Sequence, residues 1–385
     1  MSAAVDQVLS NAVRAGDVPN VVAVAADRDG VVYEGAAGPR AVGQDAPVGP
    51  DSTFRIASMT KMVATVAALQ QSERGHLELD APVDTYLPEF ADRQVLEGFD
   101  GDTPKLRPAG ARATVRQLIT HTSGLSYWFF NEDIKRWGDV TGTPIVTSGL
   151  EVIFNAPLAV DPGTRFEYGI NTDWLGKVVE AVSGQSLDAY LDANVLGPLG
   201  MHHTAFLMTE EQRANSVPVH VRGEDGEWVV TDIEFNQEPD WWAGGHGLYS
   251  TARDYLAFQR MLLGGGTLGD ATILEPATVA AAFTNQIGSL DFPAHIPTAD
   301  PVMTCDCDLG PGLKWGLGLL LNTEHQQPGL RAPDSGAWAG IFNTHFWVDP
   351  TSGITGAIYT QFLPFLEPRA VRLYADFERA LYASL

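Results

Sequence analysis

Ser58 and Lys61 stand three residues apart in the stretch Thr53-Phe54-Arg55-Ile56-Ala57-Ser58-Met59-Thr60-Lys61. The chain there passes from strand-like residues into a run of good helix formers, Met62 to Leu69. That spacing sets both side chains on one face of a first helical turn, where backbone N–H groups have no internal partner. A hydroxyl, an amine and free N–H groups are the parts of an acyl-transfer site: a nucleophile, a mover of its proton, and donors for an oxyanion. The pair alone leaves a second reading open, in which Ser58 caps the helix and Lys61 is solvated.

The elements around this turn follow from apolar periodicity. Val5, Val8, Leu9, Ala12 and Val13 mark one stripe of an amphipathic first helix rather than a charged leader with an apolar core. Val21 to Ala26 and Val31 to Gly35 predict a hairpin around Asp-Gly. The Ser58 helix is expected to reach about Arg74, and Phe99 to Ala113 is expected to be a polar loop. Thr114 caps a short helix before His121. Tyr127, Trp128, Phe129, Phe130 and Trp137 then either fill a core or line an apolar pocket, with Tyr127 a candidate substrate contact. A helix from about Asp173 to Val182 ends at Gly184. Another spans Ser186 to Val195, and one from Thr251 reaches Leu263. Trp315 to Leu321 predicts a strand, Ile341–Val348 and Ile354–Gln361 a second hairpin, and Pro368 to Tyr382 a closing helix. Strands at both ends and helices between them predict an α+β fold. An antiparallel sheet is built from both chain ends and flanked by terminal helices, with a helical lobe inserted. The expected division is one catalytic domain over 1–385, with an α/β lobe at about 1–75 and 247–385 and a helical lobe at about 76–246.

Composition narrows the function. The 385 residues carry 24 basic and 48 acidic side chains, a net charge of −24 that repels phosphate backbones and anionic membranes. Nucleic-acid and membrane partners are therefore not expected. No apolar run approaches the length of a membrane span, and the expected location is the cytoplasm. Cys305 and Cys307 give no disulfide framework, and the histidines show no metal spacing, so no metal or cofactor is expected. Without a G-x-S-x-G elbow, an α/β-hydrolase is excluded.

Ordered blocks along nearly the whole chain resemble the serine beta-lactamase and penicillin-binding-protein superfamily, in particular class C beta-lactamase-like esterases (family VIII carboxylesterases). They are Phe54 to Lys61, Leu118-Ile119-Thr120-His121-Thr122-Ser123-Gly124-Leu125, Pro162-Gly163 with Phe166 and Tyr168, Pro198-Leu199-Gly200-Met201, and Gly247-Leu248-Tyr249-Ser250-Thr251. The resemblance implies Ser58 as nucleophile, with Lys61 and Tyr168 as its proton partners. Tyr168 would take the Ser58 proton as a phenolate beside the Lys61 cation, the two titrating as a coupled pair in which the resting place of the proton is not readable from the sequence. By the same resemblance, the backbone N–H groups of Ser58 and Ile341 form the oxyanion hole, and Trp338, Ala339 and Gly340 open a strand beside the substrate.

Two departures carry chemistry. Tyr168-Gly169-Ile170 puts Ile170 where the family's Y-x-N motif has asparagine, and Trp338 replaces the lysine of K-T-G. Neither can hold a substrate amide or carboxylate, and both offer apolar surface. The expected substrate is thus an ester with a small or medium apolar acyl group. Acyl transfer to an alcohol or amine is the alternative, as is hydrolysis of an amide, a beta-lactam or a D-amino-acid peptide. A non-catalytic binding protein is the remote one. Oligomeric state is not readable from the sequence.

Overall fold

The computed structural model describes residues 2–323 and 330–385. Helix α1 (Ser2–Arg14) buries Val5, Leu9 and Ala12, the stripe its spacing predicts. Strands β1 (Val21–Asp27) and β2 (Val31–Ala37) form the first hairpin. The carboxylate of Asp27 closes it by accepting from the N–H groups of Asp29 and Gly30, each at 2.8 Å. The other strands of the sheet come much later: β3 (Lys314–Trp315), β4 (Leu320–Asn322), β5 (Ser335–Gly340), β6 (Thr344–Asp349) and β7 (Ile354–Tyr359).

The sheet order is β3-β4-β5-β6-β7-β1-β2, antiparallel throughout. Val22 faces Tyr359, so the first and last thirds of the chain share the sheet's centre. Strands β6 and β7 are buried at every residue, which requires cover on both faces. Helices α1 and α5 (Pro368–Tyr382) cover one face, packing Leu9, Phe377 and Leu381 against Ala23 and Trp347. On the other lie α2 (Thr60–Glu73) and α4 (Ala252–Leu263), the latter capped by Thr251. Helix α2 is buried from Thr60 through Gln71, so it is a core helix rather than an amphipathic one. It packs against α3 (Asn171–Ser183), which ends at Gly184 in the left-handed conformation that favours glycine.

Three local expectations are corrected. Phe99 to Ala113 is not all loop: Gln94–Asp100 pairs with Thr103–Pro108, and a register shift at Gly98, with φ of 128°, disrupts the alternation that marks a strand. Trp315 to Leu321 is not one strand but the β3–β4 hairpin, turned by Gly318 at φ of 88°. Trp338-Ala339-Gly340 closes strand β5 instead of opening it, because Ser335, Gly336 and Ala337, residues of little strand propensity, come first. Among the described residues, no helix is long and apolar enough to cross a membrane.

Candidate active site

Ser58 lies in a 3₁₀ turn, Ala57–Met59, that runs straight into α2. The turn is held from two sides. Phe54 and Arg55 pair with Ser250 and Tyr249, and the Ile56 N–H donates to Leu248 O at 3.1 Å. On the other side β5 passes so close that a Cβ on Gly340 would sit 2.4 Å from Ile56 O; only glycine permits that approach. Ala57, buried at φ of 45°, occupies a strained backbone region directly before the serine. The helix is capped at Met59 without a side-chain bond, so the Ser58 hydroxyl is not spent on capping.

Lys61 is fully buried one turn on, and its amine makes three contacts. It donates to Gly245 O at 2.6 Å and reaches Ser58 Oγ and the Tyr127 hydroxyl at 3.1 Å each. Burial pushes the amine down to about 7, against the opposing pull of the Asp173 carboxylate. A neutral amine has two N–H groups and one lone pair. Gly245 O, an acceptor only, must take one N–H. The Tyr127 hydroxyl, whose own hydrogen points toward Asp173 Oδ2 at 3.5 Å, takes the second. The lone pair is left for the Ser58 hydroxyl.

Tyr168 closes the group from the far side. Its oxygen accepts from Trp338 Nε1 at 3.1 Å and hydrogen-bonds Ser58. Burial drives the Tyr168 hydroxyl up, outweighing both bonds. The phenolate expected from sequence is therefore disfavoured here, and Lys61 is the group poised near neutrality. Its Nζ lies 4.8 Å from the Tyr168 ring centre.

The chamber at Ser58 is lined by aromatic side chains, among them Phe129, Phe130, Phe166 and Trp338, with Ala339 and Ile341 at its edge. It holds about 30 Å³, room for little more than one water. Tyr168, Trp338, Ala339 and Ile341 thus meet at the serine, as the sequence predicts, and Gly340 underlies it. Ile170 and Tyr127 do not line this chamber. They border a separate cavity of about 400 Å³ with Trp128, Trp137 and Lys135. Asn171, one residue past the position the motif requires, points away: it braces the loop through His121 Nδ1, Leu125 O and Glu167 O. His121, held well below its usual range by burial and the Lys61 charge, packs on Tyr168 and Trp315.

Two functional groups escaped the sequence. The backbone of Gly245 carries no signal that could announce it. Asp173 marks only the expected start of a helix in the sequence. It is wholly buried, and its Oδ1 accepts from the Gly245 N–H at 2.8 Å, so it fixes the peptide whose carbonyl binds Lys61. A Cβ on Gly245 would stand 2.5 Å from Asp173 Oδ2. Among the described residues, no cluster of three or more His, Cys, Asp or Glu could hold a metal ion.

A family model described as Beta-lactamase matches residues 5–381. Monacolin J acid methylbutanoyltransferase of Aspergillus terreus is 30% identical over 97% of this chain and 93% of its own length. Lovastatin esterase of Penicillium rubens is 31% identical over 91% of this chain and 90% of its own. The LovD6 mutant of simvastatin synthase (LovD) from Aspergillus terreus superposes with a TM-score of 0.85 at 29% identity, covering 99% of this chain and 96% of that one. EstCE1, a hydrolase with promiscuous acyltransferase activity, shares the fold with a TM-score of 0.78 at 24% identity, covering 98% and 97%.

Proposed function

We propose that this chain, which belongs to the beta-lactamase family, is a serine esterase that works through an acyl-enzyme on Ser58 and takes esters with small or medium apolar acyl groups. The observation that carries the reading is the 3.1 Å contact from Lys61 Nζ to Ser58 Oγ, made by an amine that burial has brought down to about 7.

Neutral Lys61 takes the Ser58 proton as Oγ adds to the ester carbonyl. The oxygen that gains charge is received by the N–H groups of Ser58 and Ile341; one such donor typically lowers the barrier by about 3 kcal/mol. The bond to the leaving alcohol breaks as Tyr168 gives its proton to that oxygen, and the proton on Lys61 restores Tyr168. A raised hydroxyl suits Tyr168 to this acid role. Its oxygen is held by Trp338, so its hydrogen stays directed at the reacting atoms. Water, or an alcohol, then enters along the same proton route in reverse and releases the acyl group.

Transfer of the acyl group to an alcohol is the second reading. The narrow aromatic chamber favours it by keeping bulk water from the ester, and the similarity to a methylbutanoyltransferase supports it. Beta-lactam hydrolysis has less support, since Trp338, at the Ser58 chamber, stands where the resemblance would place a lactam-binding lysine. The hydrogen bonds of Ser58 to the buried Lys61 and Tyr168 speak against a binding protein without chemistry. The test is turnover of nitrophenyl esters and a chromogenic cephalosporin, with intact-protein mass to find an adduct on Ser58. Ester turnover that Ser58→Ala abolishes is the expected result. Undiminished turnover in that variant overturns the reading, and a strong preference for the cephalosporin moves it to lactams.

A further inference from the structure

The turn that presents Gly245 to Lys61 carries a second titratable group. It reads Gly244-Gly245-His246-Gly247, and each glycine is pressed against a neighbour. A Cβ would stand 2.8 Å from Thr172 O at Gly244, 2.5 Å from Asp173 Oδ2 at Gly245 and 2.7 Å from the Phe206 ring at Gly247. His246 is thus the one residue of this stretch that brings a side chain. Its ring is 8% exposed and meets the rings of Phe235 and Trp241 edge-on, with centres 5.5 and 6.1 Å away.

The Nδ1 atom of that ring is sealed from solvent and has no hydrogen-bond partner. Asp173 Oδ1 stands 3.6 Å from it. A bare nitrogen lone pair facing a carboxylate oxygen would be repelled, so Nδ1 carries a hydrogen. Both the neutral ring and the imidazolium meet that condition. What is left to vary is the proton on Nε2.

Asp173 is wholly buried in the first turn of α3, where the helix dipole favours its charge. Four titratable groups answer to it. Burial lowers the Lys61 amine on α2, and the Asp173 charge pulls it back up. Burial raises the hydroxyls of Tyr127 and Tyr168, and the same charge adds to both. His246 is the fourth, and among the described residues Asp173 is its one ion-pair partner. His121 answers to Lys61 instead: burial and the Lys61 charge hold it low. One buried carboxylate therefore serves two bases, Lys61 and His246. A cation on either weakens the pull that Asp173 exerts on the other.

Resting on the reading of Lys61 as the base for Ser58, we propose that His246 is a positioning residue whose imidazolium offsets the Asp173 charge and so keeps Lys61 neutral, and reactive, to lower pH. The coupling is reciprocal by linkage. Losing the Lys61 amine must shift the His246 titration as far as losing the imidazolium shifts Lys61.

The test uses His246→Asn, which keeps a side-chain N–H and cannot become a cation. Its kcat/KM for nitrophenyl butyrate is followed against pH, alone and combined with Asp173→Asn. The acid limb should move up by at least about half a pH unit, with kcat above the limb changed less than about threefold. In the Asp173→Asn background the same substitution should leave the limb in place. Lys61 is read without catalysis by carbon NMR of lysine labelled at Cε in the Ser58→Ala protein, where His246→Asn should move its titration up as well. Nitrogen NMR of the His246 ring in wild type and Lys61→Met needs no change at His246, and so serves even if His246→Asn does not fold. Removing the amine should move the ring's titration up.

A limb and a Lys61 signal that stay put in His246→Asn would overturn the proposal. So would a His246 titration untouched by Lys61→Met, or a limb that moves equally without the Asp173 charge. A loss of kcat that is equal at every pH would mark His246 as packing alone. If no ester is turned over while the two titrations stay coupled, the catalytic reading falls and the coupling stands.

Discussion

The two faces of β5 use the same six residues for opposite ends. Toward Ser58, Gly336, Trp338 and Gly340 leave no slack: a Cβ on either glycine would meet Leu319 or Ile56 O at under 3 Å, and the Trp338 indole touches both Tyr168 and Trp315. Toward α5, Ser335, Ala337 and Ala339 border a cavity of about 290 Å³. Tight packing fixes the geometry of a reaction, since a misplacement of about 1 Å costs about a hundredfold in rate. Loose packing accommodates ligand. A strand that alternates its side chains by two can therefore hold a catalytic wall on one side and a cavity on the other.

Breaking the tight face should cost most. Ser58→Ala is expected to lower ester kcat/KM by at least about 10³-fold, measured with nitrophenyl butyrate. Trp338→Phe keeps the aromatic wall but removes the Nε1–H that holds Tyr168, so kcat should fall about ten- to a hundredfold, by the same factor for short and long esters. A loss confined to long esters would mean that Trp338 acts by shaping the space beside the strand instead of by holding Tyr168.

The Lys61 end sharpens the contrast through pH. On the acid side, kcat/KM should rise through a limb at about 7 as Lys61 becomes neutral. Asp173→Asn retains the acceptor for Gly245 N–H but drops the charge that favours the protonated amine, so the limb should move to lower pH. A limb that stays put would detach Asp173 from the base.

Stability should show the smallest change. Between about pH 7 and 10.5 the buried amine is neutral while the unfolded chain's lysine is protonated, so the unfolded state binds the extra proton and folding stability rises with pH. Below about 7 the full cost of a buried charge applies. Lys61→Met should therefore raise Tm, by several degrees at pH 6 and by little near pH 10, in paired thermal melts.

The candidate site residues were legible for a definite reason. Ser58 and Lys61 are local to one turn, and Tyr168 and Trp338 sit in ordered blocks whose residue types are unusual together. Asp173, Tyr127 and Gly245 act only because three distant segments converge on one amine, and a backbone carbonyl has no side chain to reveal it. Which of Lys61 and Tyr168 carries the proton at rest was not readable for a related cause: it depends on depth of burial, which a sequence does not display and which raises Tyr168 and lowers Lys61. Hairpins whose apolar runs flank a clear turn, such as β1–β2 and β6–β7, were found; Gln94–Pro108 was hidden by its bulge at Gly98, and β5 by its small residues.

The pairing of Val22 with Tyr359 has a consequence for biosynthesis. Strand β1 leaves the ribosome long before β7, its sheet partner on one side. The Ser58 turn waits as well, because the Gly340 strand that braces it arrives just before. Non-local pairing of this kind slows folding and exposes strand edges until it closes. The nascent chain thus carries an unpaired β1 edge until β7 is made, a natural place for a chaperone to bind. The serine gains its braced setting only when the final hairpin docks, so assembly of the sheet also times the onset of chemistry.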